Sequence, residues 1–212
     1  MNTNKSRQEI LERISAIDNS ARASEQNISF KNEEIYKPIL PDAITCFKNE
    51  LEAISGQCIV CNNEQELVQQ LKEVVSAKGL PVLFCRDKAI TQFLQENEIP
   101  TTELESDFET MQAGITGCEV LVARTGSLLV TSAGDSGRQM NVFPPIHIVL
   151  AKSDQLVDYP ENALNAVRDK YADNLPSAIT TITGPSRTAD IEKTLVLGAH
   201  GPKELIVFLS IV

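Results

Sequence analysis

Three short connections in this chain carry residue types that bind anions. The first is Thr125-Gly126-Ser127, which lies between two apolar runs. Glycine lets backbone N–H groups approach a ligand, and the flanking hydroxyls add donors, so the turn suits a carboxylate or phosphate; it equally suits a plain hairpin turn. The second is Ser132-Ala133-Gly134-Asp135-Ser136-Gly137-Arg138, where the Arg138 guanidinium is able to fork onto a carboxylate, or where the chain simply loops through solvent. The third runs from Thr183 to Glu192 and contains Gly184, Pro185, Ser186, Arg187, Thr188, Ala189, Asp190 and Ile191. Ser186 or Thr188 suits the cap of a helix expected over 188–197, and Asp190 and Glu192 suit its positive amino end. Arg187 has no such explanation, because a cation is unfavourable there unless it meets an anion held by the same helix end.

Other chemistries lack their residues. There is no G-x-G-x-x-G fingerprint and no G-x-x-x-x-G-K-[ST] loop. His147 and His200 stand apart, with no metal-ligand spacing around them. Cys58-x-x-Cys61 has no second pair, and its apolar neighbours Ile59 and Val60 favour core packing over zinc, an iron–sulfur cluster or redox exchange. Gly184-x-Ser186 would open a nucleophile elbow, but Thr188 stands where the closing glycine belongs. His147, behind Pro144 and Pro145, reads as a strand-end histidine, with general acid–base work as the sharper alternative.

The composition narrows the partners. A net charge of −10 would repel a phosphate backbone, so nucleic acid is not an expected partner. Between Lys88 and Arg124 there are seven acids and no base: Glu96, Glu98, Glu103, Glu105, Asp107, Glu109 and Glu119. They read as a solvated surface, or alternatively as a docking face for a basic partner. The first twenty residues contain no apolar leader core, no run of 18 apolar residues exists, and the five cysteines are an odd number. A cytoplasmic chain without a membrane span or disulfide framework is expected.

The elements that must position these loops follow from periodicity. Residues 5–18 carry a helical stripe of Ile10, Leu11, Ile14 and Ile17, and 19–34 form a polar linker, so residues 1–34 read as an appendage and 35–212 as the main domain. Helices are expected at 42–54, 64–77 and 87–96, alternating with strands at 57–61 and 81–85. That βαβα rhythm predicts a parallel sheet covered on both faces. Apolar runs at 118–123 and 127–131 leave room only for Arg124, Thr125 and Gly126 between them, so they must pair as a hairpin. A strand at 146–150, a helix at 160–174, a strand at 178–182, the helix at 188–197 and a strand at 205–211 complete the chain. The expected fold is three-layer α/β/α, with a mainly parallel sheet and an antiparallel hairpin.

Taken together, Gly114-Ile-Thr-Gly117, Arg124-Thr-Gly-Ser127, Gly137-Arg138, Phe143-Pro-Pro-Ile-His147-Ile148, Thr183 through Glu192, and Gly198-Ala-His200-Gly-Pro202 resemble the LUD-domain family of lactate utilization protein C. The resemblance covers about residues 112–209 well. It implies the fold of the glucosamine-phosphate deaminase, ribose-phosphate isomerase and CoA-transferase group. It also implies a place in a system that oxidises L-lactate to pyruvate, with the iron–sulfur clusters in partner subunits and no cofactor in this chain. In the family a Glu usually precedes Thr-Gly-Thr or Thr-Gly-Ser; Arg124 stands there instead.

The resulting expectation is a subunit that binds a small carboxylate or phosphorylated ligand. Thr125, Gly126 and Ser127 would form the cradle, with Ser186 and Thr188 beside it and Arg138 and Arg187 as clamps. Asp190, Glu192 and His200 would position groups or move protons. Two other readings are a stand-alone enzyme acting on a sugar phosphate or acyl-CoA, and a non-catalytic scaffold that docks through residues 1–34 or 96–109.

Overall fold

The structure is a computed structural model, and it describes residues 3–15, 37–103, 110–189, 195–198 and 200–211. The chain divides into two units, residues 1–38 and 39–212. The first contains helix α1 (Thr3–Ser15), on which Ile10 and Leu11 are exposed.

The second unit opens with α2 (Ala43–Ala53), whose amino end is capped by Asp42 accepting from the Thr45 amide at 2.9 Å. Strand β1 (Gln57–Cys61) follows, then α3 (Glu64–Ala77) with Asn63 as its cap. Strand β2 (Leu83–Phe84) leads into α4 (Lys88–Glu96), which Asp87 caps, and then into the short β3 (Thr101–Thr102) and β4 (Ala113–Thr116). The hairpin is β5 (Val120–Val122) and β6 (Ser127–Thr131), joined by a 3₁₀ turn at Ala123–Thr125. Next come β7 (Ile146–Lys152), β8 (Leu156–Val157), α5 (Pro160–Tyr171) and β9 (Ile179–Ile182). β10 (Arg187–Ala189), β11 (Leu195–Leu197) and β12 (Glu204–Ser210) end the chain.

Among the described residues, six strands form one parallel sheet in the order β1-β12-β7-β4-β2-β3. β12 lies inside it, and its side chains alternate between two cores. Leu205, Val207 and Leu209 pack with α2, β5 and β6, while Ile206 and Phe208 pack with α3 and α4. Each fully buried Leu, Val or Phe contributes about 1.5–3 kcal/mol, so these two clusters supply most of the apolar drive in this unit.

The chain is an α/β protein with a mainly parallel sheet, and the hairpin pairs as expected, Val120 opposite Leu129 and Val122 opposite Ser127. The hairpin belongs, however, to a second sheet in the order β8-β5-β6-β9, with β9 antiparallel to β6. This sheet and α2 cover one face of the parallel sheet, and α5 covers the second sheet's far side through Ala163 and Val167. No helix is long and apolar enough to cross a membrane among the described residues.

The expected helix at 188–197 is corrected. Arg187–Ala189 pairs antiparallel with Leu195–Leu197, Thr188 lying opposite Val196. Thr188, Thr194 and Val196 are β-branched and favour a strand, whereas the helix reading rested on cap-type residues without an apolar stripe. The helix start that was to hold an anion beside Arg187 therefore does not exist.

Gly126 links the two layers. It adopts a left-handed φ of 58°, and a Cβ there would stand 2.2 Å from the Leu51 amide nitrogen of α2. Gly79 shares a positive φ of 62° but has nothing within 4 Å. Gly79→Ala is therefore expected to cost about 1 kcal/mol, the left-handed penalty alone. Gly126→Ala should cost about 3 kcal/mol or more, because overpacking against a helix backbone adds to that penalty. Chemical denaturation of both variants measures the difference, and equal costs would contradict the close packing of the turn against α2.

Candidate functional site

A parallel sheet puts all its carboxyl ends on one edge, and ligands of such sheets collect there. Here that edge holds a cavity of about 770 Å³ lined by Asp87, Gly117, Lys152, Asp154, Gln155 and Ser210 among others. A neighbouring cavity of about 290 Å³ shares Asp87, Gly117 and Cys118 with it. The Asp87 carboxylate is already engaged, accepting from the amides of Ala89 and Ile90 at 2.9 and 3.1 Å.

His147 braces this edge from within the core. It is fully buried on β7, between Gly114 of β4 and Leu205 of β12. Its Nε2 lies 2.9 Å from Thr116 Oγ1, and that hydroxyl donates to the Gly117 carbonyl at 2.9 Å. With the Thr116 hydrogen so placed, Nε2–H donates to Thr116 and Nδ1 is the acceptor nitrogen, which has no protein partner. Burial pushes the imidazole pKa down to about 4, so His147 is neutral at pH 7. It positions Gly117; it has no solvent contact through which to exchange protons with a ligand.

Glu119 stands two residues beyond Gly117 and lines the smaller cavity. Its Oε1 accepts from Thr131 Oγ1 at 2.8 Å and Tyr171 Oη at 2.6 Å, and its Oε2 accepts from Lys170 Nζ at 2.6 Å. Burial raises its pKa, but the hydrogen bonds from Lys170, Tyr171 and Thr131 outweigh burial and hold it below the usual carboxylate value. Lys170 is shifted upward, chiefly by the same bond. The Ser132–Arg138 connection supplies Ala133, Gly134 and Ser136 to this cavity.

Thr125 and Ser127 meet at a different place, the far end of β6. With Thr181, Thr183 and the apolar Val122, Leu129 and Leu164 they line a cavity of about 250 Å³ that reaches Pro160 at the start of α5. Ser127 Oγ and Thr183 Oγ1 are 2.8 Å apart, and the buried Thr125 Oγ1 has no hydrogen-bond partner. Gly126 faces α2 instead of this cavity.

The remaining candidate residues among those described do not line it. Arg138 donates to Ser177 Oγ at 2.7 Å, and Arg187 donates to the Ile54 carbonyl. The Ser186 backbone bonds Pro202 and Gly198, and Thr188 lies in β10. His200 is exposed in a pocket of about 390 Å³ with Phe143, Gly198 and Lys203. Asp190 and Glu192 lie outside the described residues. Arg124, where the family usually has Glu, pairs with Glu50 of α2 at 3.8 Å.

Cys58 and Cys61 both pack as apolar groups, but in cores on opposite faces of the sheet. Burial pushes their thiols up to about 12 and about 11, which removes thiolate chemistry at neutral pH. Among the described residues no group of three or more His, Cys, Asp or Glu is arranged to hold a metal ion.

Sequence reasoning missed Thr181, Thr183, Glu119, Asn141 and Lys170. Glu119 was read only as one of seven acids in a stretch without a base, and Thr183 only as the first residue of the third anion-binding connection; Lys170 carries no local signal, because it reaches its partner only through the fold.

The model of the LUD domain family matches residues 44–210. A lactate utilization protein C of Bacillus subtilis is 30% identical over 181 residues, 76% of this chain and 75% of that protein. Another, of Anoxybacillus flavithermus, is 29% identical over 174 residues, 73% of this chain and 78% of that protein. An uncharacterized protein of Neisseria meningitidis serogroup B is 35% identical over 122 residues, 57% of this chain and 51% of that protein, so the chain spans about half its length. The crystal structure of a DUF162 family protein from Deinococcus radiodurans aligns with a TM-score of 0.58 over 79% of this chain and 96% of that one, at 18% identity, which shows a common fold.

The buried imidazole sets a pH dependence. Its pKa is about 4 when folded against an ordinary 6.5, so between those values the unfolded chain binds the proton and the folded chain does not. Stability contributed by His147 is therefore complete above pH 6.5 and declines by about 3 kcal/mol as pH falls to about 4. Glu119 is also shifted down, but from a carboxylate value, so its contribution begins to fall only as pH drops below about 4.5, at the acid end of that window. Urea midpoints of the wild type and His147→Gln across pH 4–7 measure this. The variant should lack the wild-type decline, and parallel curves would refute the buried neutral histidine.

Proposed function

The chain belongs to the LUD-domain family, and we propose that it serves lactate utilization by holding a small carboxylate in the hydroxyl-lined cavity at Thr125. Its role there is that of a subunit without clusters in a system oxidising L-lactate to pyruvate, the iron–sulfur chemistry belonging to companion subunits. The lactate assignment is supported by relatives named lactate utilization protein C.

The ligand assignment is supported above all by one observation: the buried Thr125 hydroxyl has no partner within the fold, and Thr125 is a residue of the cavity wall. A buried hydroxyl without a partner costs about 1–3 kcal/mol, and a ligand oxygen removes that cost. Ser127, Thr181 and Thr183 add hydroxyls, and no carboxylate lines the cavity to repel an anion. Pro160 brings the amino end of α5, the positive end of its dipole, to the cavity wall. Val122, Leu129 and Leu164 form an apolar side that suits a methyl group. A carboxylate with a short apolar tail matches that division. A phosphate group shares the acceptor chemistry but leaves the apolar wall unused.

Thr125→Val is the test. It removes the hydroxyl and keeps the shape, and since Oγ1 makes no bond in the fold, stability should be unchanged or slightly raised. Loss of one hydrogen bond to a charged group should weaken carboxylate binding roughly 10- to 100-fold. The tagged chain would be captured from its own cells and the eluate assayed for lactate-dependent dye reduction. Wild type should bring down companions and activity, and the variant should keep the companions but lose activity. Capture without any lactate-dependent reduction would sink the lactate role; full activity in the variant would sink the carboxylate site.

A further inference from the structure

The cavity beside Glu119 has a hydrogen-bonding character opposite to that of the cavity at Thr125. Asn141 lines it and is 9% exposed. Its Nδ2 donates to the Gly137 carbonyl at 3.2 Å, which fixes the amide orientation, and its Oδ1 has no partner. A buried amide oxygen in this position needs a donor.

The wall also carries the Ser136 hydroxyl, which can donate or accept, beside the carboxylates of Asp87 and Glu119 and the ammonium of Lys170. Glu119 is neutralised by Lys170, and Asp87 is spent on the amino end of α4. Two carboxylates beside one ammonium disfavour an anion, and each carboxylate already has donors within the fold, which suits an uncharged donor. Oε2 of Glu119 accepts only from Lys170 in the fold and retains acceptor capacity toward the cavity.

One glycine of the wall is not explained by packing. A Cβ on Gly134 would meet nothing within 4 Å, and its φ is not positive, so neither a clash nor backbone strain requires a glycine there, unlike Gly126. A Cβ on Gly117 would instead approach Ile90 at 3.8 Å and the Leu150 carbonyl at 4.0 Å, both on the larger cavity. Asp87 and Gly117 of its wall follow the carboxyl ends of β2 and β4, the position where such sheets bind ligands.

We propose that this cavity is a binding site for an uncharged, multiply hydroxylated small molecule or moiety, with Asn141 Oδ1 and Glu119 Oε2 accepting its hydroxyl hydrogens. The inference does not rest on the lactate reading: it concerns other residues, and a failed dye-reduction assay leaves it standing.

Saturation-transfer NMR on the whole chain tests it with two neutral probes of similar length. Erythritol presents hydroxyl donors, and 1,2-dimethoxyethane presents only acceptors. Transfer is expected to be stronger to erythritol than to the ether. Asn141→Leu removes the acceptor and should cut the erythritol signal by about 5-fold or more. Gly134→Val grows a side chain where nothing within 4 Å opposes it, so it should fold normally and block the cavity even where the asparagine variant does not fold. No transfer to erythritol, equal transfer to the ether, or an undiminished erythritol signal in Gly134→Val would overturn the proposal.

Discussion

The strand Glu204–Ser210 carries five consecutive apolar residues, Leu205 through Leu209, all of them buried. A strand without a polar face has no stable place at a sheet edge or on a half-solvated sheet. It must lie inside, with both faces covered. Parallel neighbours β1 and β7 flank it, α3 and α4 cover one side, and α2 with the second sheet covers the other. Parallel pairing then brings the carboxyl ends of β12, β7 and β4 to a common edge, and the crevice lined by Gly117, Lys152 and Ser210 is the geometric consequence.

The second cover layer is where the chain departs from a doubly wound helix sandwich. Instead of another long helix it uses α2 and a sheet built on the hairpin, and the two meet at Gly126 against the Leu51 backbone. Backbone contact of that kind tolerates no side chain. The Thr-Gly-Ser glycine, which looked like a means of approaching a ligand, is accounted for by this packing. The hydroxyls on either side of it are not: Thr125 Oγ1 has no partner within the fold.

How far the sequence could be read depended on the range of the interactions. Elements set by local pattern were legible. The Asp42, Asn63 and Asp87 caps stand where the helices begin, and the gap of three residues between two apolar runs demanded the hairpin. Where local signals conflicted, the reading failed. Residues 186–192 offered good caps, yet strand pairing between Thr188 and Val196 prevailed. The short β4 has only four residues, one of them Gly114, and gave no strand periodicity of its own. Site residues were legible as types but not as a constellation. Ser127 meets Thr183 across 56 positions, Glu119 meets Tyr171 across 52, and both arginines expected to clamp an anion turn out to hold the fold through Ser177 and Ile54.

Strand β6 separates two unlike environments. Ser127 and Leu129 line a cavity of hydroxyls and apolar groups near one end of it; Val130 and Thr131 line the acceptor-rich cavity at the other. Neither arginine reaches the first cavity, so an anion there relies on hydroxyl donors and the end of a helix dipole, each contributing a modest amount. Attraction alone would give weak selectivity. The second cavity differs from the first, since Asp87, Glu119 and Asn141 line it beside Lys170. The two ends of β6 thus differ in the placement of donors, acceptors and charged groups.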